Sequence, residues 1–284
     1  MKITKVDLYK YFGLIRPEHG EGYLNCYLHE NSPEINLNRT YPAMVVMPGG
    51  AYSFRSDREN EVVAIKFYAN DYNAFTLQYA IYPAKYPTAL IEGCMAVAYI
   101  RENAKQLGVN ADNIACIGFS AGGHLCASVG NLFDSNVVVN ALKERANLCR
   151  PDAILLGYPV ISKCIEKTHE GTFSNLCGDN EELKRSLSIE KCVKLNSAPV
   201  FIFHTENDPS VPVKNSKVLA DAYESIGVPY ELHIFEKGPH GLSLGTTAVY
   251  NQKTYNNLQI SSDYTNWVEM AISWLYERGF NIKD

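Results

Sequence analysis

The chain has 284 residues, 46% hydrophobic and 20% charged, with 26 basic and 31 acidic side chains and a formal net charge of −5. That size suits one large α/β domain, because a single core still serves roughly 250 residues. Ordinary apolar and charged fractions exclude disorder, and a mildly acidic chain with no Lys/Arg cluster lacks the footprint of a nucleic-acid binder.

Residues 1–7 have no apolar run of the kind a signal peptide needs, and the longest apolar runs, 43–47 and 153–156, are too short to span a membrane. No membrane partner is expected, and the cytoplasm is the default compartment. The eight cysteines are widely spaced with no C-x-x-C pair, so free thiols are expected and zinc has no ligand cluster. A homo-oligomer is left open.

In chain order, residues 2–8 and 23–29 read as strands around a Gly-rich turn, and 31–42 as a polar, Pro-containing loop. Residues 43–47 form a short buried strand stopped by Pro48-Gly49-Gly50. Val62, Val63, Ala64 and Phe67 are spaced for a helix over 59–69. Residues 74–82 are strand-like, and 88–107 read as a long amphipathic helix closed by Gly108. Strands at 113–118, 153–157, 199–204 and 230–235 then alternate with helices at 121–132, 213–226 and 264–278. This alternation predicts a mostly parallel, twisted sheet of about eight strands with helices on both faces, in a single domain over 1–284. Two polar segments interrupt it. Residues 161–197 read as a lid-like insertion and 243–263 as a polar loop, with plain solvated connections as the simpler alternative.

Gly118-Phe119-Ser120-Ala121-Gly122 matches G-x-S-x-G and falls between a strand and a helix. A sharp turn there holds the serine in a strained conformation, needs small neighbours, and lifts the hydroxyl into the open at a helix N-terminus. Serine is a poor nucleophile at neutral pH, so a histidine must sit beside it and an acid must orient that histidine. Asp208 follows the 199–204 strand and His240 follows the 230–235 strand, in the order Ser120, Asp208, His240 that this motif requires. Glu206 shares the acid loop, but Asp208 lies deeper in the turn beside Pro209 and is preferred. His19, His29, His124, His169, His204 and His233 are assigned structural or surface roles.

A tetrahedral intermediate also needs donors for its oxyanion. The Ala121 N–H is one, and the turn Pro48-Gly49-Gly50-Ala51-Tyr52 supplies Gly50 and Ala51 for the other. Ser53, Arg55, Arg58 and Glu59 follow, as an ion-pair network bracing the turn or as surface salt bridges. Tyr52, Phe54, Tyr82 and Tyr158 fall near strand ends, where they would form an aromatic wall for sugar rings or pack in the core and rim. Asn and Gln amides in 243–263 are candidates to bond sugar hydroxyls.

Together these motifs, with Ser-Ala-Gly-Gly-His at 120–124, Asp208-Pro209-Ser210-Val211-Pro212 and Gly238-Pro239-His240-Gly241, resemble the serine α/β-hydrolase superfamily. Within it the chain is most similar to acetylesterase and carbohydrate-esterase-like (xylan esterase) proteins related to the hormone-sensitive-lipase group. The resemblance implies nucleophile Ser120, base His240, acid Asp208, and no metal or organic cofactor. Pro48 stands where the hormone-sensitive-lipase motif has histidine, which leans from lipids towards short acyl groups on carbohydrates. The expectation is a serine esterase (carboxylic ester hydrolase) acting on a small-molecule acetyl ester, with an acetylated sugar as the favoured substrate. A general carboxylesterase, a prolyl-oligopeptidase-like peptidase and a non-catalytic binding scaffold are the alternatives.

Overall fold

A computed structural model describes residues 1–250 and 252–284. Eight strands form one sheet: β1 (Lys2–Asp7), β2 (Tyr23–Leu28), β3 (Tyr41–Met47), β4 (Asn73–Gln78), β5 (Val109–Phe119), β6 (Ala153–Gly157), β7 (Val200–Thr205) and β8 (Tyr230–Phe235). Their order is β1-β2-β4-β3-β5-β6-β7-β8. The pairs β1/β2 and β2/β4 are antiparallel and all others parallel. The helices are α1 (Leu8–Phe12), α2 (Glu61–Tyr68), α3 (Thr88–Glu102), α4 (Ala104–Leu107), α5 (Ser120–Leu132), α6 (Asn136–Leu142), α7 (Glu170–Cys177), α8 (Glu181–Ser186), α9 (Lys214–Ile226), α10 (Gln252–Asn256) and α11 (Trp267–Tyr276). Among the described residues no helix is long and apolar enough to cross a membrane.

Both faces of the sheet are covered, which is why its central strands are continuous apolar runs rather than alternating ones. Along β3, Ala43, Val45 and Met47 pack with residues of α3, α5 and α9, such as Met95, Leu125 and Leu219. Met44 and Val46 point the other way, into a cluster with Phe67 of α2 and Trp267, Trp274 and Leu275 of α11. There the Trp267 ring stacks on Phe203 of β7 at 4.3 Å between centroids, an offset contact adding about 1 kcal/mol to the burial itself.

Several boundaries differ from those predicted. The 74–82 strand ends at Gln78, because Tyr79 and the residues after it leave the sheet. The 88–107 helix is divided at Asn103, whose φ of −106° and ψ of 17° are not helical; its side chain bonds the Tyr11 hydroxyl and the Tyr99 carbonyl instead. Helices α1 and α6 are additional. Residues 161–197 are more ordered than a polar connection, since they contain α7, α8 and a 3-10 turn at Ile189–Lys191. The 243–263 segment includes α10, and its residue 251 lies outside the described residues.

The parallel strands β3 to β8 all end on one edge of the sheet. The chain segments leaving them therefore converge, and side chains far apart in sequence meet outside the carboxyl ends of the strands.

Candidate active site

The β5–α5 turn is as tight as its glycines suggested. Ser120 sits at φ +52°, a left-handed conformation rare for a residue with a side chain. A Cβ on Gly118 would lie 2.1 Å from the Gly122 carbonyl oxygen, so strand and helix can approach this closely only without one. The turn directs Ser120 Oγ to His240 Nε2 at 2.8 Å, and His240 Nδ1 to Asp208 Oδ2 at 2.7 Å.

Asp208 is buried and well provided with donors. Its Oδ1 accepts the Ser210 and Val211 N–H groups at 2.8 and 2.9 Å, and His204 Nε2 stands 3.4 Å from Oδ2. Burial by itself favours the neutral acid. The hydrogen bonds from His204 and His240, the His240 charge and the Val211 N–H outweigh it and hold the carboxyl well below the ordinary carboxylate range. Glu206, two residues earlier, is exposed and pairs with Lys217 at 3.1 Å. The His240 loop is tied down on both sides: Thr205 Oγ1 donates to the Gly238 carbonyl, Asn207 Oδ1 accepts from the Gly238 N–H, and the Tyr250 hydroxyl donates to the Gly241 carbonyl.

The turn after β3 faces this relay. Gly50 has φ +130°, and a Cβ there would lie 2.1 Å from the Phe54 carbonyl oxygen, so the position tolerates nothing larger than glycine. Its carbonyl accepts the Ser53 and Phe54 N–H groups, while the N–H groups of Gly50 and Ala51 have no acceptor among the described residues. Ala121 is the second residue of α5, so its N–H is among the donors that a helix start leaves without an intrahelical partner. Gly50, Ala51, Ser120, His169 and His240 line a cleft of about 180 Å³, with Phe54 on its rim. Among the described residues no cluster of His, Cys, Asp and Glu could hold a metal.

Of the four aromatic residues expected to face a sugar, only Phe54, 58% exposed, lines this cleft. Tyr82 is exposed, but its ring is covered by Lys85 and it stands outside the lining. Tyr52 and Tyr158 are each 2% exposed and belong to the frame of the site. A buried hydroxyl needs partners. That of Tyr52 bonds His124 Nδ1 at 3.0 Å, and His124 Nε2 donates in turn to the Leu187 carbonyl. Burial lowers His124 to about 4, so the ring is neutral.

The Tyr158 hydroxyl donates to Glu59 Oε1 at 2.7 Å and accepts the Ser243 N–H at 2.8 Å, with its ring edge-on to His240. Glu59 Oε2 accepts the Gly49 N–H at 2.8 Å. Residues 53–59 therefore do not brace the turn as an ion-pair network among themselves, and the one salt bridge they make among the described residues joins Arg55 to Glu21 at 3.7 Å. Arg55 turns to the Tyr79 carbonyl, Arg58 covers the Tyr250 ring, and Glu59 becomes a buried acceptor joining the Gly50 turn to the strand end beneath His240. Spacing within 48–59 did not reveal this, since the partner, Tyr158, is 99 residues away.

Glu59 carries a testable consequence. Burial raises its carboxyl above the ordinary value, against the hydrogen bonds from Tyr158 and Gly49. A carboxyl raised on folding favours the folded state fully below its unfolded pKa and loses that advantage as pH rises through its folded value. Glu59→Gln does not titrate, so its melting temperature relative to wild type is expected to rise as the pH is raised above the ordinary carboxylate value of about 4. Glu59→Ala strips two buried donors of their acceptor and is expected to cost about 3 kcal/mol in denaturant unfolding.

The structure also revises His169, which the sequence left in polar surroundings with no partner. It is the N-cap of α7 and lines the cleft with Ser120 and His240. The same helix supports the Gly50 turn, because Asn175 Nδ2 donates to the Ala51 carbonyl at 2.8 Å. Residues 161–197 are thus fastened to the site through Asn175 and through the contact of His124 with Leu187.

A mostly parallel, doubly covered sheet with a serine at a strained strand-to-helix turn, met by histidine and aspartate from later strand ends, defines an α/β-hydrolase. The chain belongs to the BD-FAE family, whose model matches residues 32–223. It is 34% identical over 80% of its length to endo-1,4-beta-xylanase B of Butyrivibrio fibrisolvens, and 25% identical over 92% to an acetylxylan esterase of Xylanibacter ruminicola. It spans 36% and 50% of those two relatives. Among solved structures, the acetyl ester-xyloside bifunctional hydrolase of Caldicellulosiruptor lactoaceticus is 33% identical with a TM-score of 0.81, covering 98% of this chain and 97% of that one.

Proposed function

We propose that the protein is a serine esterase that removes short acyl groups, acetyl above all, from sugars or oligosaccharides through an acyl-enzyme. The observation that carries this reading is the unbroken relay Ser120–His240–Asp208, with contacts of 2.8 and 2.7 Å. His240 Nε2 takes the Ser120 proton as Oγ attacks the acyl carbonyl, and the N–H groups of Gly50, Ala51 and Ala121 receive the oxyanion. His240 then returns the proton to the departing alcohol. Water, activated by the same nitrogen, releases the acid and restores Ser120.

Asp208 keeps the Nδ1 proton in place and stabilises the imidazolium. The Glu59–Tyr158 pair holds the oxyanion turn and His240 in register. Residues 161–197 serve as a fixed wall of the cleft within a single domain. The protein works in the cytoplasm on imported small substrates, a reading that suits its eight free thiols and that detection in culture medium would overturn.

A cleft of about 180 Å³ is well below the roughly 300 Å³ at which pockets for larger ligands begin, which favours a small acyl group. Initial rates on p-nitrophenyl acetate, butyrate and octanoate are therefore expected to fall with chain length, octanoate by at least about tenfold in kcat/KM. Rates that rise with length would point to a general carboxylesterase, and inertness towards all three to a peptidase or a binding scaffold.

A further inference from the structure

Ester cleavage uses Ser120, His240, Asp208 and backbone N–H groups, and leaves His169 unassigned although it lines the same cleft. Its tautomer follows from its own contacts. Nδ1 accepts the backbone N–H of Thr172 at 3.3 Å and stands 2.9 Å from Thr172 Oγ1. The Thr172 N–H is shared between the His169 carbonyl at 3.2 Å and Nδ1, and a ring nitrogen that accepts it carries no hydrogen, which places the proton of the neutral ring on Nε2. The Nε2–H has no acceptor among the described residues. Burial and the neighbouring His240 lower the basicity of His169, which keeps the ring in this neutral form. Capping of α7 therefore presets a single-hydrogen donor in the cleft.

We infer that His169 Nε2–H is a specificity donor that bonds a hydroxyl or ring oxygen of the alcohol half of the ester, so that the site selects polyhydroxy alcohols over apolar ones of equal size. This inference rests on the esterase reading of Ser120. In that mechanism the carbonyl oxygen is taken by the turn N–H groups, while the departing oxygen must face His240 Nε2 for protonation. His169 lines the cleft together with His240, within reach of the alcohol half that departs towards that ring. His169 is half-buried, and an ester that covers its N–H without offering an oxygen takes the donor out of water without replacing the bond, so the site discriminates against that ester.

The test compares kcat/KM for a monoacetylated methyl xyloside with that for cyclohexyl acetate, which has a ring of the same size and no hydroxyl. The variants are His169→Asn and His169→Ala. Asparagine is a preferred N-cap and keeps an acceptor for the Thr172 N–H, but its amide nitrogen overlays ring Cδ2 and falls short of Nε2. The wild type is expected to prefer the xyloside. In His169→Asn, with its melting temperature retained, the xyloside-to-cyclohexyl ratio is expected to fall about tenfold, mainly through KM. His169→Ala should lose the same discrimination together with some stability. An unchanged ratio, or equal losses on both esters, would overturn the inference while leaving the esterase intact. A wild type inert to both acetates would instead overturn the esterase reading, and this inference with it.

Discussion

Ser120→Ala is expected to lower kcat/KM for p-nitrophenyl acetate by about 10⁵-fold or more, with the circular dichroism spectrum and melting temperature close to wild type. The size of the effect follows from the way the relay acts as a unit. Without Oγ no acyl-enzyme forms, and His240 and Asp208 have nothing to activate but water, leaving only the contribution of the oxyanion donors. Folding should survive, because among the described residues Oγ bonds only His240, and the position keeps a Cβ. The strained φ of +52° is imposed by the surrounding turn and is as costly for alanine as for serine. A fluorophosphonate probe should label the wild type at Ser120 and leave the variant unlabelled. Activity surviving within a hundredfold of wild type would remove Ser120 from the mechanism.

The second large effect is expected at Asp208. In Asp208→Asn the amide must satisfy the same neighbours with one acceptor oxygen. If that oxygen stays on the Ser210 and Val211 N–H groups, the amide nitrogen faces His240 Nδ1 as a donor. The histidine then carries its proton on Nε2, turned towards Ser120, and can no longer accept the serine proton. A loss of about 10⁴-fold in kcat is expected, with KM little changed.

Stability should change in a pH-dependent way as well. The Asp208 carboxyl is depressed on folding, so its contribution is present above the unfolded pKa and is lost as pH falls through the lower folded value. Asp208→Asn removes a contribution that wild type has at neutral pH. The gap in unfolding free energy between the two proteins should therefore be widest near pH 7 and narrow in acid. A gap independent of pH would mean that the carboxylate is not held as its contacts indicate. Glu59, raised rather than depressed, gives the opposite trend, and measuring both carboxylates in one pH series separates the two contributions.

Much of this organisation was legible in the chain. The apolar runs at 43–47, 153–157 and 199–204 could only be strands buried on both faces, because the periodicity of a half-exposed element is absent from them. Gly118 and Gly122 around Ser120 announced a close strand–helix crossing, since nothing larger leaves room for it. Once the strands were placed, the loops carrying Asp208 and His240 had to emerge on the same edge as Ser120. Those inferences depend on local rules of period, turn chemistry and steric size, which a linear sequence carries in full.

What only the tertiary structure decided concerns partners distant in sequence. Tyr52 and Tyr158 look like any aromatic residue at a strand end. Their burial depends on His124 and Glu59, whose positions follow from the packing of other elements. Glu59 could be read as a surface charge until β6 brought Tyr158 against it. His169 gave no signal, because its pairing with Thr172 caps a helix that exists only where residues 161–197 pack against the Gly50 turn. A hydrogen-bond partner is selected by distance in space and by exclusion of water, and neither quantity is written in residue order. The sequence determined the sheet and the order of the three reactive groups. The fold decided which of the remaining polar residues support them and which face the cleft.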